Sequence, residues 1–137
     1  MKTILLVEDS RMVRTLLEKD LTRAGYRVIS AGDGELGLQC ARQNHPDLIL
    51  LDMLLPKLTG LDVLRELKIN GTTRSVPVIA LTGLSKGNAE RLKQEGATAF
   101  FEKSDRTLQG GSGDLIALIK QVIVNNAQEP GPVSPRK

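Results

Sequence analysis

The sequence predicts an α/β fold in which a five-stranded parallel sheet is doubly wound, with helices on both of its faces. Two observations carry that expectation. Short apolar runs recur five times along the 137 residues, at Thr3–Val7, Arg27–Ala31, Asp47–Leu51, Val76–Leu81 and Ala97–Phe101. Segments of helical period separate them, which makes five βα units in a row. Parallel strands need crossover helices, and those crossovers are right-handed, so the helices fall on both sides of one sheet.

Each element has its own signal. After the first run, Val13, Leu16, Leu17, Leu21 and Ala24 fall on one helical face; Ser10 or Asp9 can cap its start, and Gly25 stops it. Gly32-Asp33-Gly34 reads as a turn after the second run. The next helix is expected to turn Leu36, Cys40 and Ala41 inward and to end before His45-Pro46. A loop from Met53 to Thr59 leads to a third helix with Val63, Leu64 and Leu67 inward, closed by Asn70-Gly71. A polar helix capped by Ser85 carries Ala89 and Leu92 inward and ends at Gly96. The last helix, near Asp114 to Asn126, presents Leu115, Leu118, Ile119, Val122 and Ile123.

Composition narrows the function classes. The length fits one domain, expected over residues 1–126, with 127–137 as a disordered tail or linker because Pro130, Gly131, Pro132 and Pro135 fall there. A hydrophobic fraction of 40% and a charged fraction of 26% are ordinary for a globular protein. There is no Trp, one Tyr and two Phe, which argues against base-stacking platforms for nucleic acid. The net charge of +3 is modest, and several basic residues sit at the end of the chain. A single cysteine, Cys40, excludes an internal disulfide framework and fits a reducing compartment. No apolar run approaches a membrane span, and Met1 leads almost directly into a strand. A cytoplasmic location without membrane insertion is the expectation.

The chemistry gathers at the ends of the apolar runs. Glu8 and Asp9, Asp52, Thr82 and Lys103 each follow one, and in open α/β sheets ligands bind outside the carboxyl ends of the strands. Glu8, Asp9 and Asp52 offer oxygen ligands to Mg²⁺ or Mn²⁺, with the backbone carbonyl of Leu54 well placed as another. Asp52 is the nucleophile candidate: its ordinary pKa of about 3.9 keeps it ionised at neutral pH, and an aspartyl phosphate would be the product. Lys103 supplies a compact positive charge and Thr82 a hydroxyl donor to phosphoryl oxygens. Taken singly, each has a plainer reading: Asp9 as a helix cap, Asp52 as a loop acid, Thr82 and Lys103 as capping or surface residues. Their joint placement favours a site. His45, at the other end of the sheet, reads as a loop residue, and Cys40 as a small apolar one.

These residues resemble the receiver domain of bacterial response regulators. The resemblance runs through Val7-Glu8-Asp9-Ser10, Leu51-Asp52-Met53-Leu54-Leu55-Pro56 with Gly60 beyond, Ala80-Leu81-Thr82-Gly83, and Phe100 three places before Lys103. It implies a flavodoxin-like sheet of order 2-1-3-4-5, Glu8 and Asp9 as metal acids, and Asp52 as the phosphoacceptor. Thr82 and Phe100 become the switch pair and Lys103 the phosphate-binding lysine. It further implies a sensor histidine kinase or histidine phosphotransfer protein as donor, a downstream protein target, and a phosphorylation-dependent homodimer as a further partner. No direct nucleic-acid contact is expected, and no enzyme activity beyond self-phosphorylation and self-dephosphorylation.

Three departures stand out. Glu8 replaces the more usual Asp, Ser104 follows Lys103 where the family usually has Pro, and the stretch from Ser104 to Gly113 is long for its place. Leu54 and Leu84 flank the expected approach of water and cannot orient one, so slow hydrolysis of the aspartyl phosphate is expected. Two other functions fit parts of the pattern. A pseudo-receiver scaffold would accept Glu8 and the missing Pro, although Asp9, Asp52, Thr82 and Lys103 argue against it. A small Mg-dependent phosphohydrolase would use Asp52 as nucleophile, yet would want an acid where Leu54 stands.

Overall fold

Alternation along each apolar run sends successive side chains to opposite sides of the sheet and so builds two separate cores. In a computed structural model that describes residues 1–83, 89–103 and 112–128, the strands are β1 (Thr3–Val7), β2 (Arg27–Ala31), β3 (Leu48–Asp52), β4 (Val78–Thr82) and β5 (Ala99–Glu102). The helices are α1 (Arg11–Arg23), α2 (Gly34–Asn44), α3 (Gly60–Ile69), α4 (Ala89–Gln94) and α5 (Gly113–Gln128). Neighbouring strands all pair in parallel, in the order β2-β1-β3-β4-β5. The expected doubly wound sheet, its order and its five βα units are all present.

Leu5, Val7, Ile49, Leu51, Val78 and Ala80 face the layer formed by α2, α3 and α4. Ile4, Leu6, Leu48, Leu50, Ile79 and Leu81 face α1 and α5. Every residue of β3 is buried, which explains its continuous apolar run. Each such side chain contributes about 1.5–3 kcal/mol on burial. This rigid centre holds the end of β3, and with it Asp52, in place.

The caps show why the helices start where they do. Ser10, not Asp9, is the N-cap of α1, its side chain accepting from the Val13 amide. Asp9 is thereby left free of a capping role. Gly25, at φ +100°, lets the chain turn out of α1 where a side chain would be strained. Thr59 and Asp62 form a reciprocal capping box at the start of α3, and Val63, Leu64 and Leu67 are buried as expected.

One helix face departs from expectation. Leu36 is 42% exposed, and α2 instead buries Gly34, Gly37, Leu38 and Ala41. The cause is close packing on β1: a methyl at Gly37 would come within 2.9 Å of Val7. The glycines are the inward face and not interruptions of it. Cys40 is half-buried against the same core.

Boundaries shift slightly. β3 begins one residue later than Asp47, and β4 and β5 begin two residues later than Val76 and Ala97. Pro77, ahead of β4, has no amide to give the ladder. α5 runs past Asn126 to Gln128. His45 is exposed in a left-handed conformation at the end of α2, away from the site, as expected. Leu84, Ser85, Ser104, the connection 104–111 and the tail 129–137 lie outside the described residues. Among the described residues, no helix is long and apolar enough to cross a membrane.

Candidate functional site

At the carboxyl end of the sheet, β1 and β3 place two buried acids side by side. Glu8 leaves β1 with its amide bonded to the Ala31 carbonyl at 3.0 Å, and its side chain is only 1% exposed. One carboxylate oxygen, Oε2, accepts from the Ser10 amide at 3.1 Å; the other, Oε1, accepts from Lys103 Nζ at 3.1 Å. Asp52 closes β3 and is equally buried. Its Oδ1 accepts from the Leu54 amide at 3.1 Å and lies 3.3 Å from Lys103 Nζ. Asp9 is exposed at the mouth. Carboxylate oxygens of Glu8, Asp9 and Asp52 all lie within 4.8 Å of one another.

The loop after Asp52 depends on a close approach. A methyl at Gly60 would stand 2.5 Å from both the Asp52 carbonyl oxygen and the Met53 Cα. Only a hydrogen side chain fits there. The Gly60 amide then reaches the Met53 carbonyl at 3.3 Å, folding the Met53–Thr59 loop back over the strand end.

Charge in this cluster does not balance. Among the described residues, Lys103 is the one cation in contact with the two buried carboxylates. Burial pushes the Glu8 pKa up to about 7 and the Asp52 charge adds to it, against the Ser10 amide and Lys103. Burial works against the Lys103 ammonium, but Asp52 and Glu8 outweigh it and raise its pKa. Three oxygen donors with an excess of negative charge suit a hard divalent cation. The donor set fits Mg²⁺ or Mn²⁺.

Thr82 ends β4, half-buried, and its carbonyl accepts from the Lys103 amide at 2.7 Å. It lines a cavity of about 250 Å³ beside the acids, with Met53, Leu54, Leu61, Arg91 and Leu92. Phe100 on β5 pairs in register with Ala80, two residues before Thr82. Its ring is half-buried in the α2–α4 layer, and Lys93 Nζ sits 5.8 Å from the ring centroid. Glu8, Asp9, Asp52 and Lys103 are thus brought together, with Thr82 beside them and Phe100 one strand further out. Leu54 is 66% exposed at the rim.

Two contributors had no legible signal. Arg14 donates to the Glu8 carbonyl from α1, and Arg91 lines the cavity from α4; both read in the sequence as ordinary polar helix positions.

Solved structures share this fold. The receiver domain of a Pseudomonas aeruginosa sensor histidine kinase, solved with a magnesium ion coordinated in its active site cleft, is 32% identical with a TM-score of 0.79, covering 90% of this chain and 98% of that one. The chemotaxis protein CheY4 of Vibrio cholerae is 26% identical with a TM-score of 0.77, over 89% of this chain and 98% of its own. A sheet of this order with acids gathered over its first and third strands is the receiver class of signalling domain. The sequence profile of the response regulator receiver domain matches residues 4–109, and the chain belongs to that family. Among its relatives is the polar-differentiation response regulator DivK of Brucella ovis, 39% identical over 103 residues, which are 74% of this chain and 84% of that protein.

Proposed function

We propose that this receiver accepts a phosphoryl group on Asp52 from a sensor histidine kinase or a histidine phosphotransfer protein, and switches its interaction surface in response. The observation that carries the reading is Lys103 Nζ bridging Glu8 and Asp52 in a buried pocket short of positive charge. Glu8, Asp9, Asp52 and the Leu54 carbonyl would hold Mg²⁺ or Mn²⁺. A bound cation supplies neutralisation of the acids and of the incoming phosphoryl oxygens.

The residues then divide the work. An Asp52 carboxylate oxygen attacks phosphorus while the bond from phosphorus to the donor's histidine nitrogen breaks, its electron pair leaving with the imidazole. Among the described residues, the Leu54 amide and Lys103 both approach Asp52 at Oδ1, so Oδ2 is the oxygen we assign to the attack. Lys103 exchanges a carboxylate partner for a phosphoryl oxygen. Thr82 turns its hydroxyl toward the phosphoryl group, and the Phe100 ring moves into the space beside it. Phe100 has no phenol hydroxyl, so the signal is carried by ring packing. A downstream protein target, or a second phosphorylated copy, reads the altered surface.

The functional unit is the domain that closes with α5 at Gln128, followed by a tail or linker, and it acts in the cytoplasm without membrane insertion or direct nucleic-acid contact. Its chemistry is confined to taking and losing its own phosphoryl group. Neither the scaffold nor the phosphohydrolase reading gains an observation in its favour; Leu54, where a hydrolase would want an acid, is apolar and exposed.

Intact-protein mass after incubation with Mg²⁺ and a small phosphodonor tests this directly. One phosphoryl adduct is expected, dependent on metal, labile to hydroxylamine and missing in Asp52→Ala. No adduct from the small donor or from a cognate kinase, in folded Mg²⁺-bound protein, would overturn the reading.

A further inference from the structure

We infer that Arg14 is a positioning residue for the metal acids, and that Gly32 is glycine to make room for it; this rests on the cation-binding reading above. Arg14 lies in the first turns of α1, where the helix pattern gives it no inward role. Its guanidinium nevertheless turns back over the β1–α1 turn. Nη1 donates to the Glu8 carbonyl at 2.8 Å, with the Asp9 carbonyl at 3.5 Å. It is the backbone of the two acids that it grips, and not their carboxylates.

The effect on the site is geometric. Glu8 and Asp9 are consecutive, so their side chains converge on one cation only if the peptide between them holds one orientation. The Glu8 amide is fixed by the Ala31 carbonyl at 3.0 Å and the Ser10 amide by Glu8 Oε2 at 3.1 Å. The carbonyl side of the same turn has Arg14. A charged donor makes the stronger kind of hydrogen bond, and here it restrains the peptide between the two acids. Both contacts come from the one nitrogen, and the planar guanidinium holds it in a fixed direction where a lysine ammonium would sit on a flexible stem.

The guanidinium needs space from a third element. Gly32, after β2, lies against it: a methyl there would stand 3.3 Å from Nη1 and 3.9 Å from Cζ. That contact is tight but leaves the backbone of Gly32 itself unstrained. A larger side chain would push Arg14 off the turn without touching any acid. Partners that orient metal ligands in this way typically matter ten- to a hundred-fold in affinity.

The test is a Mg²⁺ titration followed by backbone NMR, with amide exchange of Asp9 and Ser10 measured in the metal-free protein. Arg14→Met is expected to weaken Mg²⁺ binding about ten-fold and to speed both exchanges; Arg14→Lys should recover part of each. Gly32→Val should weaken binding when Arg14 is present and add little to Arg14→Met. Mg²⁺ affinity unchanged in Arg14→Met, or losses that simply add in the double variant, would overturn the inference while leaving the metal reading intact. A wild-type protein that takes up no Mg²⁺ would sink both.

Discussion

The two ends of the sheet use the same kinds of residue to opposite effect. At the amino end, polar side chains pair with backbone groups that close the strands. The Asp47 carboxylate accepts from the Thr3 amide at 2.8 Å while the Asp47 amide donates to the Thr3 carbonyl at 2.8 Å. The Thr98 hydroxyl accepts from the Val78 amide at 3.3 Å, and Lys68 Nζ donates to the Arg74 and Val76 carbonyls at 3.2 and 3.0 Å. At the carboxyl end, two carboxylates are buried around one ammonium, with a third acid at the rim. The amino end spends its polar groups on closing the fold. The carboxyl end keeps an excess of charge that a cation, or a proton on Glu8, balances, and that imbalance marks the site more clearly than any single residue does.

Removing the ammonium should break the comparison most sharply. Lys103→Met leaves Glu8 and Asp52 facing each other in a buried pocket, and stripping one partner from a buried pair is among the costlier substitutions. Metal-free protein at pH 8 is expected to lose about 3–5 kcal/mol in urea unfolding. Near pH 5 the loss should shrink, because Glu8, with its pKa near 7, then takes up a proton. A loss equal at both pH values would mean that Lys103 acts through packing of its stem instead of its charge.

The same pKa gives the wild-type protein an unusual pH dependence. Glu8 holds its proton up to about pH 7 in the fold, against an ordinary value of 4.5. Between those values the folded state binds a proton that the unfolded chain has released, so stability falls as pH rises through that window. The contribution is complete below the lower value and lost above the upper one. After allowing for solvent near the mouth it is on the order of 2 kcal/mol. Thermal melts in a chelator should show the decline, Glu8→Gln should flatten it, and Mg²⁺ should restore stability at pH 8. A wild-type curve as flat as that of Glu8→Gln would remove the charge imbalance from the account.

These contrasts also explain what the sequence disclosed. Asp52 and its companions were legible because each ends a run such as Leu48–Leu51 whose burial is written in its composition. Val63, Leu64 and Leu67 were legible for the same reason, as a periodic apolar face. The inward face of α2 was not. Gly34 and Gly37 are buried by the closeness of Val63 and Val7, a fact held by other elements, while Leu36 looks apolar and points out. Arg14 was hidden in the same way, since its task depends on a gap at Gly32, just after β2. The choice of Ser10 over Asp9 as cap of α1 decides whether Asp9 can serve a cation, and either residue could have capped. Local pattern identifies residues whose role is set by their own strand or helix; it is blind where a neighbouring element creates the space.

The smallest expected effect is at the amino end, and it fixes the baseline. Asp47→Ala removes the acceptor of the Thr3 amide, a single hydrogen bond to a charged group at a partly exposed strand start, for about 1 kcal/mol. Asp47→Asn keeps an acceptor oxygen and should cost less. Because this bond closes a strand and holds no excess charge, its loss should be the same at pH 5 and pH 8, and the same with or without Mg²⁺. The Lys103→Met and Glu8→Gln effects should move with both. Urea titrations of Asp47→Ala under those four conditions decide the matter. A loss that tracks Mg²⁺ would show that the two ends of the sheet are coupled through β1 and β3, and the separation of a closing edge from a working edge would fall.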